Sequence, residues 1–453
     1  MPVILAILLP IIYGYFGVSL LMPDQHLGSN KFLKLLLAIG AGIGLSSCIF
    51  FISMLINLPD PRFSIILEVL LAISLGLIYF LKFNNRKKPA NESIESKNTS
   101  FILKIVCFYL IAYTVISYLL MIIQGPHGNW DSWLIWNLHA KFLYKSGILW
   151  KDYFHSPLTW THPDYPLLVP AFIARFWYVI KHSNPVIPMA TGFIFMLLTV
   201  LLLYAGLNQC KDKKHSYIGV IILLSTPFFL LTATTLCADT PISFYFLAAI
   251  IALFLYDKHS QENKSLLALA GVMSGLAAWT KNEGVLFAAS IVAARCLVLI
   301  FSKDFKVLVN ELKYIFFGLL PFIILILYFK LFIALPNDML SGQNFASIVQ
   351  KITDPSRIKT VYEYYKTGGW VFTMGLINPF ILAGGCMFVG INIKKEYKTA
   401  LKCSLLTIII MLVAYFIIYL ITPHNLVWHL ANSLNRIFIQ LWAVFIFICL
   451  MAI

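Results

Sequence analysis

The sequence has few charged residues for its length. Asp, Glu, Lys and Arg make up only 12% of its 453 residues, whereas 60% are hydrophobic. Soluble domains carry roughly 25% charged residues, so a water-soluble fold is excluded. Apolar runs recur along the whole chain, and each is close to the ~20 residues that a helix needs to cross ~30 Å of hydrocarbon. The composition therefore predicts an all-α, polytopic membrane protein.

Metal-binding and redox motifs are also missing. The eight cysteines lie mostly in apolar runs, without a CxxC motif or a Cys/His spacing typical of zinc sites, so we expect buried thiols and no disulfide framework. The net charge of +15 comes mostly from short loops between apolar runs, which indicates membrane orientation and no nucleic-acid partner. The first residues, MPVILAILLP, lack a basic segment, so we expect no cleaved signal peptide.

Thirteen apolar runs are candidate membrane spans. They lie near residues 2–22, 32–56, 63–82, 101–123, 188–206, 215–233, 240–256, 265–280, 284–301, 312–334, 371–392, 402–421 and 436–453. A further run, 167–180, is too short to cross, so we predict an interfacial helix with Arg175 directed towards head groups or a cavity. We separate three N-terminal spans and a basic loop (1–100) from a transmembrane core (101–453).

The interfacial helix determines which loops share a face of the membrane. If residues 167–180 do not cross, all the Lys/Arg-rich loops lie on one side, and the positive-inside rule makes that side cytoplasmic. These loops are residues 82–97, 209–216, 256–264, 302–306 and 392–398. The unusual polar residues then collect on the outer face, which has two large loops at 124–187 and 336–369.

The outer segment 124–166 is rich in tryptophan and contains Asp131, flanked by Trp130 and Trp133. Aromatic rings with a polar edge suit the membrane–water boundary. A carboxylate in this setting can accept a proton from an incoming hydroxyl, as a general base does. The alternative is that Asp131 only caps the helix that follows it.

Four further charged residues lie at the outer ends of apolar runs. Asp239 opens one run, either as a functional carboxylate or as a helix cap. Lys281 and Glu283 form a turn between two runs, where the lysine either binds an anionic group such as a lipid phosphate or extends its amine to the interface. Arg436 enters the last run, and its guanidinium suits a phosphate or a carboxylate.

Histidines occupy two other outer segments. His162 and Asp164, in THPDYPLLVP, either shape a pocket wall or start the interfacial helix, and the neighbouring prolines predict an extended backbone at His162. His424 and His429 precede the last run. They are weak metal candidates, and interfacial hydrogen bonding is the simpler interpretation.

These segments, in this order, resemble the C-type glycosyltransferases, and most closely the branch of protein-O-mannosyltransferases and aminoarabinose transferases. The resemblance runs from about residue 101 to the end and rests on the acid Asp131 in the first large outer loop of the core, followed by HPDYPLL, ADTPISFYF, GLAAWTKNEG and TPHNLVWHLANSLNRIF. It implies Asp131 as catalytic base and Lys281 or Arg436 as ligands of the carrier phosphate. Members often have a second acid after the first, but Ser132 stands there, so Asp239 or Asp164 is the candidate second carboxylate.

The resemblance predicts an enzyme of a bacterial cytoplasmic membrane that moves a sugar from a polyprenyl-phosphate donor to a protein, lipid or glycan acceptor outside the cell. The reaction is a single inverting displacement that requires no cofactor, although a divalent metal is compatible with it. Its reacting groups must lie within on the order of 10 Å of each other. We therefore expect Asp131, Asp239, Lys281 and Arg436 to line one cavity, open sideways to lipid.

Two alternatives remain open at this point. Glu68 and Arg295 lie within apolar runs, where charge indicates function, and the sequence does not show their partners. Such residues favour a secondary transporter or lipid flippase, although no internal repeat supports one. The other alternative is a ligase that moves whole glycans from a lipid-diphosphate donor.

Overall fold

The computed structural model is all-helical, as predicted, and describes residues 2–23, 31–56, 61–83, 100–155, 158–259, 263–302, 305–339 and 342–453. The first nine α-helices are α1 (Pro2–Leu21), α2 (Lys31–Leu55), α3 (Pro61–Phe83), α4 (Phe101–Gln124), α5 (Asn137–Lys145), α6 (Leu168–Ile180), α7 (Val186–Cys210), α8 (Lys213–Leu224) and α9 (Pro227–Thr234). The others are α10 (Asp239–Lys258), α11 (Ser265–Thr280), α12 (Asn282–Phe301), α13 (Phe305–Phe332), α14 (Phe345–Thr353), α15 (Pro355–Val371), α16 (Pro379–Val389), α17 (Lys398–Ile421) and α18 (Leu426–Ala452).

Within the described residues, ten helices are long and apolar enough to cross a membrane: α1, α2, α3, α4, α7, α10, α12, α13, α17 and α18. The pair α8 and α9 passes the same test together but is bent by 65°, and counting it as one span gives eleven. The bend lies where Pro227 begins α9. The predicted count of thirteen is not confirmed, because α11 has 16 residues and α16 has 11, fewer than the ~20 of a full crossing.

Helix α10 is the centre of the molecule. Every residue from Asp239 to Asp257 is buried, as expected of a helix that is apolar on all sides. It packs against α7, α11 and α18. A carboxylate at either end of α10 can therefore be neutralised only by side chains from other helices.

The next three helices run up and down beside α10. Lys281, just after α11, contacts Asp239 at the start of α10, and Arg295 near the end of α12 contacts Asp257 at the other end. Glu311, early in α13, also binds Arg295. Helix α11 therefore connects the two ends of the bundle, which we call the Asp239 end and the Asp257 end.

The chain between α15 and α17 runs alongside α18. The ring of Tyr365 lies 5.4 Å from that of Phe438, and the ring of Phe372 lies 5.5 Å from that of Trp442. Further on, the amide nitrogen of Asn392 donates to the carbonyl oxygen of Ala452 at 2.8 Å. These contacts follow α18 from near Arg436 to its last turn, so this part of the chain passes from the Asp239 end to the Asp257 end.

Helix α6 crosses α2 at a steep angle. The hydroxyl of Ser47 lies 3.4 Å from the carbonyl oxygen of Leu167, and the ring of Tyr178 lies 5.7 Å from that of Phe50. Eleven residues of helix rise by about 16 Å, whereas the facing residues of α2 span about 5 Å, so the axes cannot be parallel. With 13 residues α6 is too short to span, as expected, and its interfacial position stays a prediction.

The prediction for the orientation of Arg175 is wrong. Its side chain is fully buried and forms two hydrogen bonds with Glu68 of α3, from Nε at 2.7 Å and from Nη2 at 2.5 Å. A guanidinium removed from water requires a counter-charge, which Glu68 supplies. The other mid-run charge, Arg295, is also buried and paired, with Asp257 and Glu311.

The cysteines behave as predicted. All eight are free thiols, and seven of them are buried, the exception being the partly exposed Cys296.

The charged cluster at the Asp257 end gives a stability prediction. Replacing Arg295 with Met leaves two buried carboxylates without their cation, so the free energy of unfolding should fall by about 3–5 kcal/mol. The measurement is unfolding of the purified protein in detergent. As a control, the triple variant R295M/D257N/E311Q removes all three charges and should recover most of the loss. Equal stability of R295M and the unmodified protein would contradict the prediction.

Candidate active site

Five of the residues singled out in the sequence form one chain of ion pairs at the Asp239 end. Arg436 donates from Nη1 to Asp131 Oδ2, and from Nε and Nη2 to Asp239 Oδ2 at 2.9 and 2.7 Å. Lys281 Nζ lies 3.1 Å from Asp239 Oδ1 and 2.6 Å from Glu283 Oε1. The structure thus brings together groups up to 305 residues apart, as the distance argument required. Their roles stay predictions.

Asp239 is the buried centre of this chain. Its side chain has no exposed surface. Oδ1 accepts from Lys281 and from Gln440 Nε2 at 2.5 Å, and Oδ2 accepts from Arg436. The carboxylate also lies at the amino terminus of α10, where the helix dipole stabilises a negative charge. Both oxygens are occupied, so Asp239 holds two cations in place and is shielded from any substrate.

Asp131 is the exposed end of the chain, with 32% of its side chain accessible. The interpretation of Asp131 as a helix cap is wrong, because its backbone is already helical and its side chain forms no cap hydrogen bond. The side chain of Asn129 accepts from the Ser132 amide instead, at 3.0 Å. A π-helical turn, Ser132–Trp136, follows directly. Such turns are rare and frequently occur at functional sites.

Trp130 and Trp133 form an exposed aromatic rim beside Asp131. Their rings lie 6.3 Å apart in an edge-on arrangement, and both are among the exposed large side chains. They therefore border the carboxylate without burying it.

Lys281 is buried, so the interpretation that its amine extends to the interface is wrong. Burial lowers the pKa of Lys281, but the carboxylates of Asp239 and Glu283 outweigh that effect and raise it above its ordinary value. Lys281 is therefore protonated at neutral pH, and the carboxylates of Asp239 and Glu283 balance its positive charge. The chain of five groups contains three carboxylates and two cations, so its net charge is negative.

Asp164 anchors a second polar cluster next to the first. Its Oδ2 accepts from the side-chain amides of Asn282 and Asn337, both at 2.7 Å, and lies 3.5 Å from Lys330 Nζ. Asn282 follows Lys281 directly in the chain, so the two clusters share one turn. Asp164 is thus held between α6, α12 and the end of α13.

The predicted extended backbone at His162 is wrong. Its φ of 50° and ψ of 58° are left-handed, although the following proline favours an extended backbone. Local contacts stabilise this conformation: its carbonyl accepts from the Tyr165 amide at 3.0 Å, and the two rings stack 4.8 Å apart. Tyr165 in turn lies 5.9 Å from Lys281 Nζ, so the left-handed turn brings His162 to the site.

His162, Asp164 and Asp338 could hold a metal ion. One ligand atom from each lies within 4.8 Å of the others. His424 Nε2 is also 3.2 Å from Asp338 Oδ2. Nitrogen and carboxylate ligands suit zinc or manganese. The other histidine, His429, hydrogen-bonds Thr422 at 2.9 Å, and its ring lies 5.8 Å from that of His424.

Sequence analysis missed several residues of the site: Lys330, Asn337, Asp338 and Gln440. Gln440 is detectable in principle, since it lies four residues after Arg436 and therefore on the same helix face. Lys330 is a charge inside an apolar run, which also marks a site by default. The outer-loop residues Asn337 and Asp338 carry no comparable signal.

Comparison with known proteins gives one family match. Residues 162–329 match the family described as dolichyl-phosphate-mannose-protein mannosyltransferase. No curated protein and no solved structure matches the chain. The resemblance predicted from the sequence is confirmed over this part, which contains Asp164, Asp239 and Lys281 but not Asp131 or Arg436. The protein is accordingly a multi-pass membrane glycosyltransferase of the kind that uses lipid-phosphate-linked sugars.

The contrast between the two carboxylates bound to Arg436 is testable. Asp239→Asn removes a buried partner of two cations and should cost about 3–5 kcal/mol of stability. Asp131→Asn alters a partly exposed pair and should cost about 1 kcal/mol or less. Thermal unfolding of the two variants in the same detergent measures the difference. Equal losses would contradict the assignment of Asp239 as the structural centre.

Proposed function

We propose that the protein transfers a glycosyl group from a polyprenyl-phosphate donor to an acceptor on the extracytoplasmic face of a bacterial cytoplasmic membrane. The observation that carries the proposal is the chain Asp131–Arg436–Asp239–Lys281. It joins an accessible carboxylate to a guanidinium at one end of the bundle. A base beside a phosphate-binding cation is what this transfer requires.

In the proposed reaction, the acceptor oxygen attacks the anomeric carbon while Asp131 takes the proton of the acceptor hydroxyl. The bond between the anomeric carbon and the carrier phosphate breaks, and the phosphate leaves with the electron pair. This single displacement inverts the configuration. Asp131 binds Arg436 through Oδ2. Among the described residues no hydrogen bond to Oδ1 occurs, so this oxygen is the one offered to the acceptor.

Arg436 is the proposed ligand of the leaving phosphate. A guanidinium has five N–H donors, and three of them bond Asp131 and Asp239. The remaining two can bind phosphate oxygens and stabilise the charge that develops on them. The buried Lys281 and Asp239 hold Arg436 in place in this scheme and do not contact the substrate.

The net negative charge of the site opposes a phosphate unless further positive charge is close. His162, Asp164 and Asp338 are the residues that would hold a divalent cation beside the site, and such an ion would offset the phosphate charge. We propose that Glu283 and His429 complete the polar wall, and that Trp130 and Trp133 contact the acceptor or the sugar.

We propose that an apolar cavity against α18 holds the carrier tail. It has a volume of about 300 Å³ and lies between α15, α16, α17 and α18. It is lined mainly by aromatic and aliphatic side chains, among them Tyr365, Phe372, Phe380, Phe438 and Trp442. Phe438 is two residues beyond Arg436, about 200° around α18, so a lipid in this cavity would have to pass around the helix for its phosphate to reach the guanidinium.

The proposal includes the thirteen crossings and the outer location of the site that the sequence predicts. Helix α11 joins opposite ends of the bundle, and the chain through α16 runs from one end of α18 to the other, which supports crossing by both. The Lys/Arg-rich loops then lie at the Asp257 end, and the positive-inside rule makes this end cytoplasmic. Residues 101–453 form the proposed catalytic core.

The transporter alternative loses its main support. The mid-run charges Glu68 and Arg295 are fully buried and paired, whereas a transporter needs ionisable groups that its substrate can reach. More than one cation around the pocket would favour the lipid-diphosphate ligase, but Lys281 is buried and already paired with Asp239 and Glu283, so we retain the transferase.

Asp131→Asn tests the catalytic base. The amide cannot accept the proton, so transfer from a radiolabelled polyprenyl-phosphate sugar should fall by about 10²–10⁴-fold. Binding of the donor should be largely retained. Asp152→Asn, at an exposed acid in the same loop, is the control and should transfer normally. Substantial turnover by D131N would exclude Asp131 as the base.

Arg436→Lys tests the proposed phosphate ligand. One ammonium cannot reproduce the fork that joins Asp131 to Asp239 and still bind a phosphate, so kcat should fall by about 10²-fold or more. Steady-state kinetics with varied donor concentration measure the effect. The control is Arg357→Lys, at an arginine that bonds the backbone carbonyls of Tyr419, Leu420 and Thr422 and not the carboxylates of the site. An unchanged kcat in R436K would remove Arg436 from the mechanism.

A further inference from the structure

Helix α2 contacts two of the segments that carry the site, the one before α6 and the end of α11. The hydroxyl of Ser47 lies 3.4 Å from the carbonyl oxygen of Leu167 and accepts from Trp279 Nε1 at 3.1 Å. Leu167 is three residues after Asp164, and Trp279 is two residues before Lys281. One hydroxyl of the N-terminal helices therefore joins the two flanks of the site.

The two flanks also contact each other directly. Asn282 donates to Asp164 at 2.7 Å, and Lys281 lies over the ring of Tyr165 at 5.9 Å. A displacement of α6 relative to α11 would therefore move Asp164 and Tyr165 against Lys281. Since Lys281 and Arg436 share Asp239, the displacement would extend to the cation that we assign to the phosphate.

The position of α6 is set by Arg175 and the N-terminal helices. Nε and Nη2 of Arg175 donate to Glu68 of α3, and Nη1 donates to the Ala6 carbonyl of α1 at 3.0 Å. Ser46 of α2 also donates to Glu68, at 2.8 Å. All three N-terminal helices thus contribute to one buried fork. A bidentate pair of planar groups fixes orientation, whereas burying it gains little stability over apolar residues.

We propose that Glu68 and Ser47 are positioning residues for glycosyl transfer. The three N-terminal helices hold α6 and the segment before it, so that Asp164 and Tyr165 stay in register with the Lys281 turn. This inference rests on the proposed function. It assigns a task to a part of the chain that lies outside both the family match and the residues of the site itself.

The test compares two identical substitutions, Glu68→Gln and Glu311→Gln. Both replace a fully buried carboxylate that accepts hydrogen bonds from a buried arginine, but Glu311 lies at the Asp257 end. Both should lower the melting temperature. Only E68Q should lower kcat, by about 10–100-fold, because a misplacement of about 1 Å can cost about 10²-fold. E311Q should keep kcat per folded molecule within about twofold.

Hydrogen exchange provides a readout that does not depend on activity. The amide of Tyr165 is bonded to the His162 carbonyl at 3.0 Å, and its exchange should become at least about tenfold faster in E68Q but not in E311Q. If E68Q does not fold, Ser47→Ala carries the same comparison, with the same directions expected.

The outcomes separate the two proposals. If the unmodified protein transfers sugar and E68Q matches E311Q in kcat and exchange, the positioning inference is overturned while the function stands. If the unmodified protein transfers no polyprenyl-phosphate sugar, the proposed function fails. In that case unchanged exchange at Tyr165 also overturns the inference, and faster exchange supports the structural coupling.

Discussion

The carboxylate of Asp239 is the interaction on which the site depends. It lies at the start of a helix that is buried along its whole length, so water cannot solvate it. Lys281, Arg436 and Gln440 have to do so, and these come from the α11–α12 turn and from α18. A buried charge therefore fixes the positions of the α11–α12 turn and of the part of α18 that carries Arg436 and Gln440. The cation that we assign to the phosphate is located by this requirement and not by the substrate.

The same arrangement explains why an exposed carboxylate and an arginine can lie side by side at the site without cancelling each other. Arg436 bonds the buried Asp239 on one side and the partly exposed Asp131 on the other, and part of its own side chain is accessible. Because the guanidinium is planar and has five donors, it can bind two carboxylates and keep donors free. A lysine has a single nitrogen on a flexible chain and cannot form this fork. In the proposed scheme Arg436 therefore binds the phosphate, whereas Lys281 helps to hold Arg436 in place through Asp239.

Much of this arrangement could be predicted from the sequence, and the exceptions have physical causes. The convergence of Asp131, Asp239, Lys281 and Arg436 follows from counting apolar runs, because parity places their ends on one face. The partner of Arg175 could not be predicted, since Glu68 lies 107 residues away on α3 and α6 crosses the neighbouring helix α2 at a steep angle. Periodicity carries no information about crossing angles. The backbone of His162 was mispredicted because ring stacking on Tyr165 and a local hydrogen bond outweigh the preference imposed by Pro163. The span at α16 was not confirmed, because its 11 helical residues are fewer than the ~20 of a full crossing.

The shortness of α11 has a consequence for the depth of the reaction. Sixteen residues rise about 24 Å, whereas the hydrocarbon layer is about 30 Å thick. If α11 crosses the membrane as proposed, the turn that carries Lys281 lies below the head-group level, or the bilayer thins around it. The donor phosphate would then leave its usual depth to reach Arg436, and the acceptor would descend into a recess to meet it. In such a recess bulk water is scarce, so an acceptor hydroxyl gains an advantage over hydrolysis of the activated sugar.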